Sequence, residues 1–264
     1  MIEFINECNE ELLYDDRKEI VNARNYLTKD RGLNLNSIKK HKIGFCREDK
    51  YIPEKIKFFG TYNKEKRWDI SNNVKGRIVL PIFSEFGDEI AFATKLPTNE
   101  KGYPWWNIPS PFKKGNHLFL LDKSRKYIFE KNKVYVVEGY VDALILYQHG
   151  VKNVVAIMGT AYTLRKIALT ARYCNNICLC FDSDKNQSGE KAKKMSVAVM
   201  EKYSFYESIS TIDSLPVDED PASFVHKYGI GKMLEKERFL DEQEIYKICF
   251  QVNNSYKKRL IDAQ

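Results

Sequence analysis

The sequence predicts a mixed α/β chain: a parallel-type sheet flanked by helices, preceded by a mixed α+β basic subdomain and followed by a short helical tail. Three observations carry this. From residue 133 onward, short continuous apolar runs alternate with helical stretches, the pattern of a parallel sheet covered on both faces. Before that, residues 76–96 read as a hairpin, and the tail from 218 is polar with helical spacing. Domain boundaries are expected at 1–131, 132–217 and 218–264.

Taken in order, residues 15–40 read as helical. Asp16, Ile20, Ala23 and Leu27 recur at helical spacing, and Arg31-Gly32 supplies a stop. In GRIVLPIFSEFGDEIAFATKL, the β-rich runs RIVLPIF and EIAFATKL flank the turn signal Glu85-Phe86-Gly87-Asp88. Residues 97–116 hold four prolines and two glycines, which predicts an irregular segment. KVYVVEG, NVVAIMG and NICLCFDSD are then read as three strands. The helices YVDALILYQHG, TLRKIALTARY and GEKAKKMSVAVMEKYS follow them in turn, and SISTIDSL is a fourth short strand. In the first of these helices, Val141, Leu144, Ile145 and Gln148 or Tyr147 are expected on one side.

The 264 residues are 43 % hydrophobic, enough for a core, which excludes global disorder. The formal net charge is +7. Residues 101–133 hold eight basic side chains against two acidic ones, a local excess that suits a polyanion and equally suits a solvated lysine-rich surface. The six cysteines include no CxxC pair, so no structural zinc is expected, nor is a disulfide framework. Cys178 and Cys180 alternate with apolar residues and read as small hydrophobes on one sheet face. The acidic N-terminus lacks a signal-peptide pattern, and no apolar run reaches the ~18 residues of a membrane span. The expected location is therefore cytoplasmic, in a bacterial or phage-infected cell.

Ligands of open parallel sheets bind at the carboxyl ends of the strands. Glu138 closes the first run and Asp142 lies in the first turn of the next helix. Asp182 and Asp184 close the third run. Three strand-end loops would thus converge: Glu138/Asp142, Gly159/Thr160 and Asp182/Asp184. Carboxylates in one pocket repel one another unless a cation intervenes, and hard oxygen donors favour Mg²⁺ or Mn²⁺. For Glu138 or Asp142 alone, a simpler role is an acid at a helix N-terminus. Gly139, Gly159 and Thr160 allow close backbone approach and offer N–H donors, or simply form tight strand–helix turns. There is no GxxxxGK[ST] and no GxGxxG, so neither a P-loop nor a dinucleotide site is supported.

These residues resemble a known pattern. EGYVD, GTAYT and FDSD, in that order and with helices between them, are similar to the Toprim domain of DnaG-type primases. The segments ARNYLTKDRGLNLNSIKKHKIGF, GRIVLPIFSEFGDEIAFATKL and PWWNIPSPFKKGNHLFLL resemble the upstream primase core, and LPVDEDPASFVHKYG the acidic motif after the sheet. The likeness spans residues 20–230. It implies a nucleotidyltransferase that makes RNA primers on single-stranded DNA from ribonucleoside triphosphates, with a replicative helicase as partner. It implies Glu138, Asp182 and Asp184 as catalytic metal-holding acids, Asp142 in support and Asp220 as a further acid. Arg77, Lys95, Asn107 and Lys114 would grip template or triphosphate. Independently, Trp105 and Trp106 could stack on bases or pack in a core. Position 222 is Ala where the pattern has a second Asp, and the zinc-finger and helicase-binding modules of the family are not expected in this chain. The rival readings are a Toprim nuclease using the same acids, and a non-catalytic homologue that binds single strands or a helicase.

Overall fold

The computed structural model describes residues 1–53, 71–100, 105–108, 112–159, 162–183, 188–213 and 215–261. The chain forms two compact units, Met1–Lys113 and Lys114–Gln264.

In the first unit, helix α1 (Ile2–Tyr14) opens the chain. None of the elements expected from the sequence covers this segment. Its signal was present, because Phe4, Ile5, Cys8 and Leu12 recur at helical spacing and all are buried. α1 sits directly on strand β1 (Gly44–Cys46): a Cβ at Gly44 would lie 2.6 Å from Cys8 Cβ, so only glycine permits the contact. The expected helical stretch is α2 (Lys18–Asn25), extended by a π turn over Tyr26–Asp30, and α3 (Leu35–Lys40). Arg31 ends the π turn and Gly32 follows with φ 73, as the stop signal requires. A four-residue turn, α4 (Ser71–Val74), leads into the hairpin strands β2 (Arg77–Phe83) and β3 (Glu89–Lys95). The sheet is larger than a hairpin, with the antiparallel order β1-β2-β3-β4. β4 (Trp106–Ile108) lies in the stretch read as irregular: prolines flank those three residues but leave their own N–H groups free to pair with β3.

The second unit begins before its first expected strand. A 3₁₀ turn (Lys114–Asn116) and helix α5 (Leu121–Lys131) belong to it. Phe119 bridges Ala156, and Ser124 Oγ donates to the Val154 carbonyl at 2.7 Å. The second compact unit thus takes in residues 114–131, which Phe119 and Ser124 tie to its sheet. Strands β5 (Lys133–Val137), β6 (Val154–Ala156), β7 (Asn176–Leu179) and β8 (Ser208–Ile212) are parallel, in the order β6-β5-β7-β8. Between them run α6 (Tyr140–Gln148), α7 (Leu164–Ala171) and α8 (Ser188–Tyr203). Every residue of α6 from Tyr140 to Tyr147 is buried, so its apolar side is not one stripe as expected. Val134, Val136, Ile177, Leu179 and Ile209 form one core with Ile128, Ile167, Val197 and Met200.

The tail is not purely helical. After α9 (Pro221–Tyr228) and α10 (Ile230–Leu234), β9 (Glu237–Phe239) adds antiparallel to β8, and α11 (Glu242–Ile261) then packs on α8. Glu237 has a polar reason to be in a strand. Its carboxylate accepts from Lys133 Nζ at 2.5 and 2.7 Å, from Tyr135 Oη at 2.9 Å and from Ser210 Oγ at 2.5 Å. The basic excess of 101–133 is correspondingly less available than its count suggests. Lys133 pairs with Glu237, Lys123 with Asp122 and Lys126 with Glu130. No helix among the described residues is long and apolar enough to cross a membrane. Cys8, Cys46, Cys174, Cys178 and Cys180 are free and buried, and burial pushes the Cys178 and Cys180 thiols up.

Candidate metal and phosphate site

The carboxyl ends of β5 and β7 lie side by side because these strands pair directly, Val136 opposite Leu179. The chain leaves β5 at half-buried Glu138 and runs on from β7 through Cys180 and Phe181 to Asp182. The Asp182 N–H donates to Glu138 Oε1 at 3.2 Å, joining the two nominated acids. Asp182 Oδ1 is shielded from solvent. Gly189, in the first turn of α8, closes the arrangement from the other side. A Cβ there would lie 2.1 Å from the Asp182 carbonyl oxygen and 2.9 Å from Glu138 Oε1. Gly189 carries no local signal in the sequence, since its need is a contact across a loop and not a turn.

Asp142 holds a different position. Its Oδ2 accepts from the Gly139 N–H at 3.1 Å, and its Oδ1 from the Ala222 N–H at 3.1 Å. The carboxylate is 5 % exposed and lies between the N-termini of α6 and α9, where it satisfies a backbone donor of each helix. Gly139 has no side-chain alternative: a Cβ there would lie 2.3 Å from Asp142 Oδ2. Asp220 is the N-cap of α9 and accepts from the Ser223 N–H at 2.6 Å, while Ser223 Oγ accepts from the Asp220 N–H at 3.1 Å. Glu219 receives Lys227 and the Ser223 hydroxyl, and those two contacts hold its carboxyl below the ordinary range.

The FDSD loop is tied to this acidic segment. Ser183 N–H donates to the Glu219 carbonyl at 3.1 Å, and Asp218 N–H to the Ser183 carbonyl at 2.6 Å. A closed circuit results. It runs from Glu138 to Asp182, through Ser183 to Glu219 and Asp220, into Ala222, across to Asp142 and back through Gly139. Ala222 contributes its backbone, and its own side chain is buried.

The third loop follows β6. Met158 and Gly159 have φ of 58 and 107, and Gly159 N–H donates to the Glu138 carbonyl at 3.4 Å. Lys114 is exposed, with Nζ 3.6 Å from the position of a Cβ on Gly159. The loops of Glu138 and Gly159 are thus linked, with one cation beside them. Thr160 and Asp184 lie outside the described residues. Among the described residues no three His, Cys, Asp or Glu side chains are grouped to hold a metal ion. The donors in place, Glu138 and Asp182, are hard carboxylate oxygens, which fit a divalent ion of the Mg²⁺ type.

In the first unit, Arg77 begins β2 and Lys95 ends β3, adjacent through the Ile78–Lys95 register. Burial lowers the Lys95 ammonium first, and Arg31 and Arg77 add to it. Arg31, read from the sequence only as part of a helix stop, therefore joins this basic group. Its Nε is buried and meets no hydrogen-bond partner among the described residues. Asn107 and Trp106 lie in β4 and Trp105 precedes it half-buried; the side chains of Asn107 and Trp106 are outside the described residues.

An open, mostly parallel sheet with carboxylates at adjoining strand ends, beside a glycine turn and a lysine, defines the Toprim class of metal-using domains. The comparisons with known proteins agree. Residues 135–225 match the Toprim-like family model, and residues 9–125 match that of the DNA primase catalytic core, N-terminal domain. A DNA primase of Enterococcus faecalis is 30 % identical over 232 residues, covering 78 % of this chain and 35 % of the relative. The E. coli primase catalytic core superposes with a TM-score of 0.71 at 26 % identity, over 90 % of this chain and 79 % of that one. A DnaG primase catalytic domain solved bound to single-stranded DNA superposes with a TM-score of 0.65 at 24 % identity, over 89 % and 80 % of the two chains. The chain belongs to the DnaG-type primase catalytic-core family, with the N-terminal core domain and Toprim in one polypeptide. It spans about a third of the length of the curated relatives it matches. Its Toprim domain implies use of a divalent metal.

Proposed function

We propose that this chain synthesises short RNA primers on single-stranded DNA from ribonucleoside triphosphates. The observation that carries the reading is the Glu138–Asp182 pair at the ends of paired strands, in a chain that also has the primase N-terminal core. Glu138, Asp182 and Asp184 would hold Mg²⁺ or Mn²⁺, with Asp220 a further acid at the same rim. Such an ion supplies charge neutralisation at the phosphates and a lowered pKa for the attacking hydroxyl. The chain's own groups do the rest. Asp142 fixes Gly139 and Ala222 and acts as a positioning residue. Lys114, Gly159 and Thr160 receive phosphate, and Gly139 leaves room for the Asp142 carboxylate. Arg77 and Lys95 of the first unit, with Arg31, hold the template backbone through charge, and Asn107 through hydrogen bonding. The relative solved with single-stranded DNA supports this choice of template. A replicative helicase is the proposed protein partner.

The test is incorporation of labelled ribonucleotides on random single-stranded templates with Mg²⁺ and Mn²⁺ compared. Template-dependent RNA products support the reading. Cleavage of the DNA without nucleotides would replace it with a nuclease. Silence on all templates, with a helicase added, would leave a binding role.

A further inference from the structure

Lys166 lies on α7, one turn after its N-cap, and points inward. It is 2 % exposed, and its Nζ donates to the Ile157 carbonyl at the end of β6. That bond holds the chain where it enters a left-handed stretch, Met158 at φ 58 and Gly159 at φ 107. A methionine side chain in that region is uncommon and persists only when its surroundings constrain it. One further tie reaches this turn and another holds the segments beside it. Thr163 Oγ1 donates to the Gly115 carbonyl at 2.7 Å, anchoring the 3₁₀ turn that bears Lys114, and Gly159 N–H reaches the Glu138 carbonyl.

Burial of a cation costs free energy, and Lys166 lies close enough to a second cation, Lys114, to feel its charge. Burial first, and then the Lys114 ammonium, lower Lys166 to about 8. A bound polyanion relieves both penalties together. Gly159, without a side chain, leaves the approach to Lys114 open.

We infer that Lys166 is a positioning residue for the triphosphate of the incoming ribonucleotide: it pins the Ile157–Gly159 turn and, from beneath it, adds a second positive charge to that of Lys114. The inference rests on the reading of the chain as a triphosphate-using polymerase. It separates Lys166 from the metal-holding acids, since its contribution is to ground-state binding of phosphate.

The experiment compares wild type with Lys166→Met, Lys166→Arg and Lys114→Gln in ribonucleotide incorporation, with melting temperature measured alongside. Lys166→Met is expected to raise the ribonucleotide KM by roughly tenfold or more, with kcat changed by less than about threefold and affinity for single-stranded DNA unchanged. Lys166→Arg recovers most of the KM. In the wild type, KM rises as pH passes through about 8, where Lys166 loses its proton. Lys114→Gln removes the like charge, so that midpoint moves to higher pH; this outcome does not depend on the folding of Lys166→Met. A folded Lys166→Met with wild-type KM would overturn the inference, as would equal losses in the Met and Arg variants or an unmoved pH midpoint. If the wild type incorporates no ribonucleotide, the proposed function fails. Calorimetric titration of wild type and Lys166→Met with a non-hydrolysable ribonucleoside triphosphate and Mg²⁺ then decides the Lys166 inference by itself, equal affinities overturning it.

Discussion

The backbone N–H of Asp182 donates to Oε1 of Glu138 at 3.2 Å, across the ends of two paired parallel strands. One oxygen of the glutamate thus orients the neighbouring loop. Glu138→Gln keeps an amide oxygen for the Asp182 N–H, whereas Glu138→Ala removes the tie. Both variants should lose primer synthesis by at least ~10²-fold, the order expected when charge stabilisation at the reacting phosphate is removed. Only Glu138→Ala should also lower the melting temperature. Primer synthesis by Glu138→Gln at the wild-type rate would remove Glu138 from the catalytic set.

Gly189 tests the packing behind that pair. Any side chain there meets the Asp182 carbonyl oxygen at 2.1 Å, and backbone must move. Gly189→Ala should cost about 1–3 kcal/mol of stability. It should also weaken Mn²⁺ binding, measured by titration of the folded protein. Unchanged stability and metal affinity would mean that the α8 turn relaxes freely.

Asp142 bonds two backbone N–H groups from segments 80 residues apart in sequence. Asp142→Ala strands both donors, at about 1–3 kcal/mol each. Asp142→Asn retains an acceptor for one and should fall between Ala and wild type in urea denaturation. A fully stable Asp142→Ala that has lost activity would instead place this acid among the metal ligands.

The basic group at Arg77, Lys95 and Arg31 should act through phosphate charge. Arg77→Ala is expected to weaken single-stranded DNA binding across all sequences and to reduce the slope of log K against log salt by about 1. A sequence-selective loss with an unchanged salt slope would contradict a backbone role.

Lys166 also has a consequence for stability. Its folded-state value is lowered to about 8 from an ordinary 10.5, by burial first and then by Lys114. Between those pH values the unfolded chain holds a proton that the folded chain has released, so raising the pH favours the folded state. The wild type should therefore gain stability relative to Lys166→Met as pH rises from about 8 toward 10.5, in paired denaturation curves. A constant difference would show that Lys166 does not titrate there.

What the sequence determined was whatever local spacing encodes. The β5, β6 and β7 runs are apolar because both sheet faces are covered, so each is visible as a continuous stretch. Glu138 and Asp182 are legible as strand-end acids, and the EGYVD, GTAYT and FDSD order is legible as a family. Helix α1 is legible too, through the helical spacing of Phe4, Ile5, Cys8 and Leu12. The tertiary structure decided which charges remain available and what each acid touches. Lys133 looked like part of a basic surface until Glu237 of a later strand met it, Asp142 looked like a helix-end acid until Ala222 arrived from α9, and Lys166 carried no signal until the fold put it under the Ile157 carbonyl. The reason is physical: periodicity records which side of an element faces the core, while hydrogen-bond and charge partners come from elements that folding alone brings together.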